Sequence, residues 1–303
     1  MNKSSAQLFI EGLVGSMLSL VKVLILSKFR VYFPLSQSEE CVILANGPSL
    51  NDFLTDSIEF LDNKDIICVN FFSRTDNYVR IQPTHYILTA PEYFLEDEKE
   101  GWSEIRNKAF SAMIEKTTWH MNLFVPMLAQ NQQGWKKNVI QNPNINICYF
   151  NNTPIEGLTR MSHFFFKKNL GMPRPHNVLV PSLMIGIALR YKKIFMAGTD
   201  HNWTKELVVT EKNEVLLNQK HFYDKQLKVG TEKEKLGGPR PMYLGTTNQP
   251  RKLHEILEKF VHSFRSYWEI KAFAKTQDVK IYNLTFGSFI DAFERLKPPK
   301  IKL

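Results

Sequence analysis

Two short apolar runs in this chain end in side chains able to do chemistry. Cys41-Val-Ile-Leu-Ala runs into Asn46-Gly47-Pro48-Ser49-Leu50, and Lys193-Ile-Phe-Met-Ala-Gly198-Thr runs into Asp200-His201-Asn202-Trp203. Each run is long enough for a buried strand, and in open α/β sheets ligands sit at the carboxyl ends of such strands. The first end has the makings of an anion site. Gly47 lets backbone approach a ligand, Pro48 and Ser49 suit a helix start, and Asn46 adds an amide for a sugar or phosphate. The second end offers Asp200 and His201 as base and orienter for proton transfer. Trp203 beside them could stack on a sugar or base, or simply pack.

Further candidates lie outside these two runs. His221-Phe222-Tyr223-Asp224 follows a polar, hairpin-like stretch, and His221 and Tyr223 are possible proton carriers or phosphate donors. His176-Asn177 precedes an apolar segment and could face the same cleft. Arg240 and Tyr243, in Pro239-Arg-Pro-Met-Tyr-Leu-Gly245-Thr246, could neutralise a leaving phosphate or merely decorate the surface. Asn283-Leu-Thr285-Phe-Gly287-Ser288 is a second possible anion site. His85, His120, His163, His254 and His262 read as structural. Asn46-Gly47-Pro48-Ser49 lacks the Lys-Ser/Thr of a P-loop and the three glycines of a dinucleotide fingerprint, which disfavours kinase-like ATP use and NAD. One carboxylate beside one imidazole makes a poor metal site, so no metal is expected.

Strands and helices must carry these residues. Strands are expected at Cys41–Ala45, Asp65–Val69, His85–Leu88, Leu123–Pro126, Ile145–Tyr149, Lys193–Gly198 and Val279–Asn283. Helical patterns are read at Asn51–Leu61, Glu96–Lys116, Val178–Arg190, Leu253–Thr276 and Ser288–Leu296. Strands alternating with helices imply a parallel sheet with helices on both faces. The Lys-, Gly- and Pro-rich stretch 225–241 reads as a lid-like or plain surface loop. The expectation is an α/β fold: one Rossmann-like, doubly wound, mostly parallel domain over residues 36–303, preceded by a helix within residues 1–35.

Composition narrows the partners. The 303 residues carry a net charge of +9 and are 43% hydrophobic, enough for a large core and biased toward an acidic partner. No zinc-finger or RNP pattern is present, so nucleic acid is not expected. Three cysteines without ligand spacing read as buried apolar residues in a reducing compartment. Residues Ser5 to Arg30 are rich in Leu, Val, Ile, Phe and Met. On a helix, Gln7, Glu11, Gly15, Ser19 and Lys22 form one narrow stripe. Glu11 and Lys22 argue against a membrane span, and no signal-peptide cleavage site follows. An interfacial helix with Lys28 and Arg30 near anionic headgroups is favoured; packing on the domain or on a second copy is the alternative.

With these residues in view, the chain resembles two related families over roughly residues 40–296. The blocks are the Asn-Gly-Pro-Ser-Leu turn, the Asn70 strand end, the Ile187–Asp200 segment and the Ile281–Ser288 segment. One family is the bacterial sialyltransferases of the Campylobacter lipooligosaccharide type. The other is the motility-associated-factor flagellin glycosyltransferases, which share a domain named for 6-hydroxymethylpterin diphosphokinase. The resemblance implies a GT-A-type fold and a metal-independent glycosyltransferase with no cofactor. A CMP-activated acidic sugar, such as sialic acid, Kdo or a related nonulosonate, would be the donor, and a surface glycan or lipid-linked glycan the acceptor. It implies that Asn46, Gly47, Pro48, Ser49, Asn70 and Thr89 contact the nucleotide and its phosphate. Asn177 and Ser182 would lie near the donor sugar, with Trp203, Tyr223 and Thr246 in the donor and acceptor cleft. Thr246 stands where the sialyltransferases carry their base histidine, which leaves Asp200, His201 and His221 as replacements; Ala90 stands where the families place Asn or Asp. The implied location is the inner face of the cytoplasmic membrane. A pterin diphosphokinase-like activity and a non-enzymatic scaffold in glycan assembly are the alternatives.

Overall fold

The computed structural model describes residues 4–36, 38–95, 102–224, 238–244 and 249–299. Eight parallel strands form the central sheet. They are β1 (Glu40–Leu44), β2 (Asp65–Val69), β3 (His85–Ile87), β4 (Met121–Pro126), β5 (Ile145–Phe150), β6 (Lys193–Ala197), β10 (Lys280–Asn283) and β11 (Glu294–Arg295), in the spatial order β11-β10-β6-β1-β2-β3-β4-β5. A small antiparallel sheet of β7 (Leu207–Val209), β8 (Val215–Leu217) and β9 (Arg240–Pro241) is inserted between β6 and β10. The helices are α1 (Ser5–Leu26), α2 (Leu50–Asp56), α3 (Asn77–Ile81), α4 (Trp102–Lys116), α5 (Gln133–Val139), α6 (Thr159–Lys167), α7 (Leu179–Ala188) and α8 (Leu253–Thr276).

Side chains alternate across a strand, so each one supplies two cores. Ile43, Ile67, Ile87, Phe124, Ile194 and Met196 point to one face, where α6, α7 and α8 cover them. Val42, Leu44, Cys68, Tyr86, Leu123, Val125 and Phe195 point to the other, covered by α2, α3, α4 and α5. Burial on both faces is why these strands are near-continuous apolar runs. Cys41, Cys68 and Cys148 are free and buried among them.

The chain runs outward from β1 to β5, then returns to lay β6 on the other side of β1, paired in parallel from Glu40↔Lys193 to Leu44↔Ala197. The direction of winding therefore reverses between β1 and β6. Adjacent loops diverge there and leave a crevice at the carboxyl edge.

Two expected helices need correction. The helix expected at Asn51–Leu61 is α2 followed by a short 3₁₀ turn at Ile58–Leu61. The helix expected at Ser288–Leu296 is absent: that stretch is irregular and ends in β11. Gly287 takes φ +75°, and the Ser288 hydroxyl donates to the Thr199 carbonyl and accepts from Ile290 N–H. Ile290, Ala292 and Phe293 are buried, so the segment meets the core as extended chain. Of the lid-like loop, only 238–241 lies within the described residues, and there Arg240 and Pro241 pair with β8.

The stripe read on α1 overlaps its packed face, with Ser19 buried and Gly15 and Lys22 half-buried. Ser16, Ser19 and Val23 face the protein, followed by Ser27 just beyond the helix, whereas Glu11 is exposed. The Ser19 hydroxyl donates to the Glu156 carbonyl (2.7 Å) and accepts from Glu156 N–H (2.8 Å), and Ser16 accepts from Leu158 N–H (2.8 Å). Leu8, Phe9, Leu13, Met17, Leu18, Val21, Leu24 and Ile25 remain exposed. The helix thus uses small and hydroxyl side chains against the protein and turns its apolar side chains outward.

Candidate functional site

A cavity of about 540 Å³ occupies the crevice at the β1–β6 reversal. Its walls come from the ends of β1 (Asn46, Gly47, Pro48), β2 (Asn70), β3 (Thr89) and β6 (Asp200, His201, Trp203). Asn177, Lys220, His221 and Lys259 of α8 also line it. Two strand ends expected from sequence thus meet in one wall.

They meet differently from expectation. Gly47 N–H donates to the Gly198 carbonyl (2.8 Å), and Ser49 donates to Asp200 through its hydroxyl (2.8 Å) and its N–H (3.4 Å). The Asp200 carboxylate therefore occupies the start of α2, where a substrate phosphate was expected. Ser49 stands at the N-cap position but makes no side-chain cap bond. Gly47 is required for room: a Cβ there would overlap the Asp200 carboxylate and the Gly198 carbonyl. Burial raises the Asp200 pKa, and the bonds from Ser49 pull the other way.

Asn46 contributes a different feature. The residue is 8% exposed, and both side-chain amide atoms lack a hydrogen-bond partner, while its backbone carbonyl accepts from Phe222 N–H. A buried amide without partners is costly in a folded protein. In a cavity wall, such a group is one a ligand satisfies.

His201 sits at φ +47°, and its ring meets Tyr267 of α8. Its Nε2 lies 2.9 Å from the Tyr267 hydroxyl, which accepts from the Asn177 amide (2.9 Å). Burial lowers the His201 pKa to about 4, so its ring is neutral near pH 7 and Nε2 can accept the tyrosine proton. The Asn177 carbonyl oxygen accepts from Leu179 and Val180 N–H at the start of α7. Both residues line the cavity but are engaged in holding α7 against α8.

His221 has a catalytic-type partner. The Asp224 carboxylate accepts from His221 N–H (2.7 Å) and stands 3.5 Å from its Nδ1. Burial would raise the Asp224 pKa, but the His221 bonds outweigh it and the net shift is downward. The His221 ring stacks flat on Tyr223, with centroids 5.0 Å apart. The Phe222 bond to Asn46 and the Asn51 amide bond to the Phe222 carbonyl (3.1 Å) fasten this segment to the β1 loop.

Several sequence candidates lie elsewhere. Ser182 is fully buried and donates to the Val178 carbonyl of its own helix (2.7 Å). Tyr223 is buried against Phe71 and Phe222, outside the cavity wall. Arg240 and Tyr243 are exposed on and beyond β9 and do not line the cavity. Thr246 lies outside the described residues. Trp203 both lines the cavity and packs, stacking on Phe260 at 5.2 Å. In the Asn283–Ser288 segment, the Thr285 hydroxyl accepts from Thr199 N–H and Ser288 donates to the Thr199 carbonyl, so these groups clasp the β6 loop rather than wait for an anion.

Sequence reasoning missed Asp224, Tyr267 and Lys259. The i, i+3 spacing of His221 and Asp224 was the one available signal. Lys259 and Tyr267 sit at ordinary positions of an amphipathic helix. No protein-family model matches the chain, and no curated protein is significantly similar to it.

Proposed function

We propose that the protein is a GT-A-type glycosyltransferase. In this reading it moves an acidic sugar (sialic acid, Kdo or a related nonulosonate) from a CMP-sugar to a surface glycan or lipid-linked acceptor. The observation that carries the reading is the Asn46 amide, buried and unpartnered in a polar cavity at the β1–β6 reversal. An amide offers a donor and an acceptor side by side, the complement of a pyrimidine edge or a ribose diol. Asn70 and Thr89 line the same cavity and extend the polar surface a nucleotide needs.

His221 is the base in this reading. It is at the cavity wall, and the Asp224 carboxylate 3.5 Å from Nδ1 favours the tautomer with the proton on Nδ1, leaving Nε2 to take the acceptor hydroxyl proton. Asp200 is committed to Ser49, and His201 to Tyr267. Direct displacement by the acceptor, with inversion, follows from a base acting on the acceptor rather than a carboxylate attacking the donor.

The N-terminal helix supports a membrane-bound acceptor. At 1.5 Å per residue, α1's 22 residues extend about 33 Å. Its bonds to the protein recur from Ser16 to Ser27, so lipid cannot surround it, and it lies in the membrane plane with its apolar side down. Exposed Phe29 and Tyr32, with Lys28 and Arg30, continue this face at the interface, on the cytoplasmic side in this reading.

A thermal-shift series tests the reading. CMP and CDP should raise the melting temperature, whereas His221→Ala should keep that shift and lose transfer by about a hundredfold or more. A shift with ATP and magnesium in place of CMP would overturn it in favour of pyrophosphoryl transfer. No shift with any nucleotide would favour the scaffold.

A further inference from the structure

Two chemically different sets of side chains line the cavity. Asn46, Asn70 and Thr89, at the ends of β1, β2 and β3, are neutral. Lys259 comes from α8 and His176 from the loop before α7. His176 is half-buried, its Nε2 has no hydrogen-bond partner, and its ring stacks on His262 at 5.2 Å. Lys259 is half-buried and makes no ion pair among the described residues. Glu92, in the same cavity wall, reaches it only from beyond ion-pair distance.

The surroundings are cationic. His176 is pushed down to about 4, first by burial and then by His262, Lys259, Arg174 and Arg251. Lys259 is lowered by burial and by Arg251. The Arg174 charge is matched by Glu156 and that of Lys220 by Glu206, but among the described residues the Lys259 charge has no such match. A half-buried ammonium and a histidine whose Nε2 has no partner, on residues that line one cavity and sense each other's charge, are suited to meet a negatively charged oxygen.

We propose that Lys259 and His176 form an anion-reading subsite in the cavity. This rests on the CMP-sugar reading and deepens it: the group taken is a charged oxygen of the donor, either the sugar carboxylate or the nucleotide phosphate. Lys259 supplies the charge. His176 in its neutral form, with the proton on Nε2, supplies one directed hydrogen bond. The subsite makes the enzyme select acidic donors over neutral ones, because a neutral group there would leave Lys259 desolvated and uncompensated.

The test is calorimetric titration of cytidine, CMP and CMP-N-acetylneuraminic acid into wild type, Lys259→Met, Lys259→Arg and His176→Phe. Lys259→Met should weaken an anionic ligand by about ten- to a hundredfold, the loss of one charge-assisted hydrogen bond, while cytidine binds as before. Lys259→Arg should recover most of that loss, and His176→Phe should cost about two- to tenfold. If the oxygen is the carboxylate, Lys259→Met weakens the CMP-sugar and spares CMP; if it is the phosphate, both weaken together. Equal binding of all three probes by wild type and Lys259→Met, with unchanged melting of the free proteins, overturns the subsite and leaves the nucleotide reading standing. Wild type that binds none of the three overturns that reading and the subsite with it.

Discussion

The two most apolar helices of this protein live in opposite environments. In α7, every residue from Leu179 to Ile187 is buried between the sheet and α8. In α1, only Ser16, Ser19 and Val23 are buried, and the large apolar side chains face outward. Apolar content alone does not distinguish the two. What does is which residues make the packed stripe. α7 packs with Leu, Val and Ile on all sides and has no polar surface to present. α1 offers hydroxyls at a helical spacing to the backbone of residues 156–158, leaving an apolar surface that water does not favour.

The sharpest break of this comparison is the same change in both helices. Ile185→Asp buries a carboxylate with no partner and should abolish cooperative melting. Ile25→Asp, at a position 74% exposed, should shift the melting temperature by no more than a degree or two but strip the protein from anionic vesicles in a flotation assay. If Ile25→Asp also unfolds the protein, or leaves flotation unchanged, the outward face is not a membrane face.

A smaller effect is expected at the joint between the strand ends. Gly47→Ala should cost about 1–3 kcal/mol by pressing a methyl on Asp200, read as a lower denaturation midpoint. Asp200→Ala in the same background should restore part of the loss, because it removes the group in the way. Additive costs would mean that the two loops do not touch as described.

Acid should weaken the protein by a similar amount at each of two buried histidines. Burial lowers His85 and His201 to about 4 in the folded chain. The unfolded chain then binds more protons, so this contribution is complete above about pH 6.5 and is lost as pH falls toward 4. The expected cost is roughly 2–3 kcal/mol per histidine by pH 4, and His85→Gln should flatten the fall in a pH series of denaturant melts. A stability that rises as the pH falls from 6.5 to 4 would contradict the buried, neutral assignment.

The smallest change should be Ser19→Ala, which removes the two bonds to the Glu156 N–H and carbonyl, for about 1–2 kcal/mol. Its effect is local: faster amide exchange over residues 5–26 and 153–158, with the sheet unchanged. Equal acceleration in β1 and β6 would mean that α1 belongs to the central cooperative unit.

The strand runs were legible because burial on both faces demands unbroken apolar sequence, and Cys41–Leu44, Asp65–Val69 and Lys193–Ala197 are such runs. The ends of β1 and β6 were legible as cavity walls for the related reason that an apolar run must stop where the sheet meets solvent. Ser288–Leu296 misled because its apolar spacing fits a helix, while Gly287 and the Ser288 bonds set an extended path. The role of Ser49 was unreadable, since its partner Asp200 lies 151 positions away.

By itself the sequence determined the parallel α/β sheet, the apolar N-terminal helix, and Asn46, Asp200, His201 and His221 as residues worth watching. Those follow from local rules: periodicity, the apolar length of a strand, and side-chain chemistry. Only the tertiary structure decided that Asp200 is bound by Ser49, that Asp224 backs His221, that Lys259 enters the cavity from α8, and that α1 turns its serines inward. These are pairings between groups far apart in the chain. A local pattern says which surface a residue belongs to, and only the packing of the elements says which other surface meets it.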